Sequence, residues 1–134
     1  MNRRDIIAWI RKAENDFKIG IDEMKHKKPA TDMVCFHMQQ CIEKYLKAFL
    51  LFHNKEIKRT HILESLIKEC SELDPDFQKL FEWKVHYLTN YAVEIRYPED
   101  FRIPSKYETF EAIRIAQKVK RFVRKKLREK GFKI

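Results

Sequence analysis

Glycine and proline are scarce, with two and four among 134 residues. So few turn-forming residues favour a handful of long helices over many short strands. Two glycines cannot build a glycine-rich loop that cradles phosphates through backbone N–H groups. The sequence has no apolar run of about 18 residues, so no membrane span is expected. Residues 1–12 contain Arg3, Arg4, Asp5, Arg11 and Lys12 without an uninterrupted apolar core, which predicts no signal peptide. The three cysteines, Cys35, Cys41 and Cys70, fall at apolar helical positions and lack CxxC spacing. They read as reduced core thiols of a cytoplasmic protein. A thiol in such surroundings is a poor nucleophile, because burial disfavours the thiolate. The five histidines, His26, His37, His53, His61 and His86, form neither HxxxH nor HExxH. No metal site is expected from that spacing.

Charge is what the chain has in abundance. Charged residues make up 37% of it and the net charge is +9. The excess is local: residues 118–134 hold nine Lys or Arg and one acid, Glu129, or +8. The other 117 residues carry 20 basic and 19 acidic groups, or +1. A solvated helix end with cations near its C-terminus accounts for part of this. A surface for nucleic acid or an acidic partner accounts for it equally well. A chain of this length is expected to form a single domain over residues 1–134 without staples.

Apolar periodicity predicts a first helix over 3–26, with Ile6, Ile10, Ala13, Phe17, Ile21 and Met24 on its inner face. Pro29 ends it. The second helix, from about Ala30 to Phe52, is apolar on two sides and is therefore expected to be central and buried. A third helix is expected over 61–73 with Thr60 as cap. A fourth follows Asp74-Pro75 and carries Phe77, Leu80, Phe81 and Leu88, fraying near Thr89-Asn90. Residues 91–104, bracketed by Pro98 and Pro104, read as an extended or one-turn loop. Ser105 with Glu108 three residues on is a capping-box pattern opening the last helix, which Gly131 closes. Its inner face is Phe110 or Ala112, then Ile115, Ala116, Val119, Phe122, Val123 and Leu127. The sum is an all-α fold: an antiparallel up-and-down bundle of four long helices plus a short fifth.

A polar stripe crosses the buried second helix. His37, Gln40, Lys44 and Lys47 follow one another at steps of three, four and three, and so stack on one face. Buried polar groups are costly unless paired, so the stripe is either a satisfied network or a site. Glu43 can pair with Lys47 along the helix. The loop offers a counterpart: Arg96 between Tyr91 and Tyr97 could clamp a phosphate and stack on a base, or simply satisfy helix-end carbonyls.

The segment from Phe36 to Ala48, FHMQQCIEKYLKA, resembles the signature helix of the HEPN family. Thr60-His61 and Tyr91 to Pro98, YAVEIRYP, resemble the next two blocks in order, and the opening helix with Trp9, Ala13, Asp16 and Phe17 also fits. The resemblance implies a bundle of about five helices, homodimerisation, no cofactor, and one of two activities. Many members are metal-independent RNases whose motif is an Arg followed after four to six residues by His. Others partner a small nucleotidyltransferase, in some cases as a toxin–antitoxin pair. Here Phe101, Arg102 and Ile103 stand where the His would fall, and no His follows His86. The expectation is therefore a module that binds nucleotide or RNA through His37, Gln40, Lys44, Lys47, Tyr91, Arg96 and Tyr97, beside a nucleotidyltransferase. The first alternative is an active RNase in which Arg96 acts with His37 or His61. The second is a dimeric scaffold in which the stripe only fixes packing.

Overall fold

The computed structural model describes residues 2–94 and 102–134, and every described element is helical. Helix α1 spans Arg3–Met24 and α2 spans Thr31–Phe52. Helix α3 is Leu63–Leu73, α4 is the single turn Lys79–Glu82, α5 is Thr89–Glu94 and α6 is Lys106–Glu129. Two short 3-10 helices, Pro75–Gln78 and Val85–Leu88, flank α4.

Helix α2 is the axis. Fourteen of its 22 residues are buried, including Tyr45, Leu46 and Phe49 with no exposed surface. Asp16 meets His37 and Glu14 meets Tyr45, so α1 runs antiparallel to α2. Gly20 makes the approach close: a methyl group there would overlap Met38 Cε. The buried positions of α1 are Ile6, Ile10, Ala13, Asp16 and Gly20. The expected face drifted one position too far at Phe17 and Ile21, which are only half-buried, because a carboxylate and a glycine take the inner places.

Helix α6 packs along the length of α2. Thr31 donates to the Pro104 carbonyl, Cys35 meets Thr109, Tyr45 meets Arg124, and Phe52 packs on Phe132. Both numbers rise together, so α6 lies parallel to α2. Helix α3 packs on α2 through Cys70, whose Sγ lies 3.8 Å from the Leu46 carbonyl, while His61, in the turn before α3, meets Glu43. The inner face of α6 is Ala112, Ala116, Val119, Val123 and Leu127, with Thr109; Phe110 is 58% exposed.

The fourth long helix expected from periodicity is broken into short pieces. Asp74 caps the Asp76 N–H at 3.0 Å and Pro75 takes the first helical place. The chain then reverses its backbone at Lys84, whose φ of 59° lies in the left-handed region. Thr89 opens α5 instead of fraying, and Tyr91 is helical instead of extended. Helix α3 starts two residues later than expected, since Thr60 Oγ1 accepts from Ile62 N–H at 3.1 Å and leaves His61 in the turn. At α6, Ser105 Oγ accepts from Glu108 N–H at 3.0 Å, and Gly131 closes the helix with φ of 89°. No helix among the described residues is long and apolar enough to cross a membrane.

Candidate functional site

The polar face of α2 resolves into two clusters, each gathered by one buried carboxylate. Asp16, 7% exposed, projects from α1 between two side chains of α2. Its Oδ1 lies 2.8 Å from His37 Nδ1, and its Oδ2 accepts from Lys44 Nζ at 2.5 Å. His37 and Lys44 are two helical turns apart, which puts both on the side that meets α1. Their side chains keep 20% and 21% exposure, so the cluster opens to solvent.

The second cluster is deeper. Glu43, 3% exposed, accepts from Lys47 Nζ at 2.9 Å through Oε2. Its Oε1 lies 2.8 Å from His61 Nδ1 and takes longer bonds from Gln39 and Gln40 at 3.3 and 3.4 Å. Gln39 Nε2 also donates to the His61 carbonyl at 3.0 Å, and Gln40 Nε2 donates to Gln39 Oε1 at 2.7 Å. A carboxylate removed from water needs this many donors, because desolvation is otherwise uncompensated. The network fixes His61 through both its ring and its backbone carbonyl, yet leaves the side chain 42% exposed. Lys47, 5% exposed, turns inward, with Nζ 5.6 Å from the Trp9 ring centroid.

Thus the structure brings His37 together with Lys44, and Gln40 together with Lys47 and His61. It takes Tyr91 elsewhere. The Tyr91 hydroxyl donates to Glu108 Oε2 at 2.6 Å, and Arg102 grips the same carboxylate with two bonds of 2.8 and 2.7 Å. Arg102 and the Tyr91 hydroxyl hold the Glu108 carboxyl at about 2, below its ordinary range, against the opposing effect of burial. Burial first, then Glu108, pushes the Tyr91 hydroxyl up. Nearby Cys35 is pushed up to about 11, chiefly by burial, so it stays a thiol. Arg96 and Tyr97 lie outside the described residues.

Two anchors were not singled out as site residues from sequence, Asp16 and Gln39. Asp16 breaks an otherwise apolar inner face one step after Ala13, which is the signal that marks it. Gln39 reads as core by position and is core, fully buried and bonded at both ends of its amide. Among the described residues no group of three or more His, Cys, Asp or Glu side chains is placed to hold a metal ion.

A helical domain organised on one buried helix with a polar flank defines the class, and comparison names it. The model of the HEPN domain matches residues 6–126, and the chain belongs to that family. The crystal structure of TT1696 from Thermus thermophilus is similar, with a TM-score of 0.79 and 26% identity over 95% of this chain and 100% of that one. No curated protein matches the chain.

Proposed function

We propose that this HEPN protein binds a nucleotide or RNA at the polar flank of α2 and acts as partner of a small nucleotidyltransferase. The observation that carries the reading is the pair of buried carboxylates that hold His37, Lys44 and His61 at the edge of the core, still in reach of solvent. Side chains fixed in this way lose little freedom on meeting a ligand. An ammonium group has three donors, and Lys44 gives one to Asp16. Lys44 is therefore the cation best placed to meet a phosphate, whereas Lys47 belongs to the interior support. Arg96 and Tyr97 enter on sequence alone, as the family's Arg block. The test is calorimetry with ATP and with short RNAs, on the wild-type chain and on Arg96→Ala. Binding that is absent, or equal in both, sinks the reading. Co-purification from the native host tests the partnership, and light scattering at micromolar concentration tests the expected homodimer.

A second reading is supported by the two histidines. Each has Nδ1 on a buried carboxylate, an arrangement that fixes ring orientation and suits an imidazole for proton transfer. In that reading the chain is a metal-independent endoribonuclease, and His37 or His61 takes the place of the missing His after Arg96. RNA incubated with the protein in EDTA separates the two readings. Intact RNA, or normal cleavage by both His37→Ala and His61→Ala, removes the second.

A further inference from the structure

We infer that the outer face of the amino-terminal half of α1 is a track for single-stranded RNA, leading from solvent toward the α2 flank; this rests on the RNA form of the function proposed above. Helix α1 is antiparallel to α2, so its first turns lie beside the last turns of α2 and the end of α6. Arg3 confirms the neighbourhood, with its guanidinium 5.0 Å from the Phe132 ring centroid. On the outward side Arg4, Arg11 and Lys12 are exposed and enter no ion pair among the described residues. Arg4 and Arg11 are seven residues apart, about 10 Å along one face.

Two shallow concavities border this row of cations and share Ala8. One is lined by Arg3, Arg4, Ile7, Ala8 and Arg11. The other is lined by Asp5, Ala8, Trp9, Lys12, Leu51 and Ile57. The first is basic with an apolar floor. The second has the part-exposed Trp9 in its wall, with Asp5 as its single acid. Cations that follow a backbone, next to an aromatic ring on which bases stack, are the combination that suits a single strand. A duplex keeps its bases stacked on each other and has no use for the ring. Trp9 also joins the track to the site, because Lys47 Nζ, held by Glu43, lies on that ring.

The basic tail of α6 is the rival for this role, and five of its nine cations are already taken. Its Lys120 and Arg124 are bound to Glu14, Lys126 and Lys130 to Asp74, and Lys125 to Glu129. Those five cations are already opposed in space. The other four, Lys118, Arg121, Arg128 and Lys133, enter no ion pair among the described residues, and Lys118 lies over the Trp83 ring, whereas none of the α1 row is opposed.

The experiment is fluorescence anisotropy of a short labelled oligouridylate against salt, on the full chain. Each phosphate neutralised on a single strand adds about 0.7 to the salt slope, so Arg4→Ala/Arg11→Ala should lower its magnitude by about 1.4. Trp9→Ala should weaken binding about tenfold with the slope unchanged, as loss of a stacked base requires. In a Trp83→Phe chain, Trp9 is the remaining indole, and its emission should change on saturation. Thermal melting by circular dichroism checks that the variants fold, and the exposed arginine pair carries the test if Trp9→Ala does not. An unchanged slope in Arg4→Ala/Arg11→Ala, a silent Trp9, or equal affinity for a blunt duplex overturns the track. Loss of binding in Arg96→Ala with an unchanged slope in the arginine pair rejects the track and keeps the α2 site. No binding by the wild-type chain rejects the track and the RNA form of the site, and leaves ATP calorimetry to decide the rest.

Discussion

Asp16 and Glu43 do the same job on neighbouring sides of α2, but at different depth and with different partners. Asp16 comes from another helix and holds two side chains that each keep about a fifth of their surface in water. Glu43 belongs to α2, is almost fully buried, and gathers Lys47, His61, Gln39 and Gln40. The difference shows what depth does to a charge. If Asp16 were removed, water could reach Lys44 and His37. If Glu43 were removed, the Lys47 ammonium would stay in a place that water does not reach.

That contrast sets the order of effects. Glu43→Leu should destabilise most, by about 3–5 kcal/mol in urea unfolding, because one member of a buried pair is left alone. Glu43→Leu/Lys47→Met should recover part of that loss, and a double variant no better than the single would break the contrast. Asp16→Ala should cost less, about 1–3 kcal/mol, since its partners can turn outward. A cost equal to that of Glu43→Leu would mean that depth is not what separates the two clusters. Tyr45→Phe comes next, at about 1 kcal/mol, because it removes a hydroxyl that donates to Glu14 and accepts from Arg124 while keeping the ring.

Glu108 extends the comparison to the surface. Its folded pKa of about 2 lies below the ordinary 4.5 of an unfolded glutamate. A depressed folded pKa means stability that is fully present above 4.5 and is lost as pH falls through about 2. The unfolding midpoint should therefore decline across that window, and Glu108→Gln should flatten the decline. With 28% of the side chain exposed, the effect should be the smallest of the set.

The long elements were legible in sequence because their physics is local. Val34, Met38, Cys41, Tyr45, Ala48 and Phe52 repeat at helical spacing along α2, and every position of that row except the final Phe52 is buried. Ser105 and Gly131 mark α6 through the special backbone and capping roles they fill. The polar stripe was legible for the same reason, as was the Glu43–Lys47 pair. What spacing could not show is which groups meet across helices. His61 reaches Glu43 only because Thr60 turns the chain before α3, and Tyr91 finds Glu108 only because α6 lies parallel to α2. The break at Lys84 was equally hidden. Lysine carries no sequence mark for a left-handed backbone, and the apolar residues on either side keep a period that an unbroken helix would also show.

The segmented stretch from Pro75 to Glu94 has a consequence for motion. Its pieces run four to six residues, too short to sustain ladders of their own. The amides of α2 sit inside long ladders beneath buried side chains, so they should exchange with deuterium through opening of the whole domain, and those of the segmented stretch through openings of single turns. The stretch meets the start of α3 through a bond from Leu63 N–H to Thr89 Oγ1 at 3.0 Å. The polar flank therefore stands where a long helical ladder meets short ones, and hydrogen exchange should be slower on its α2 side than across the segmented stretch.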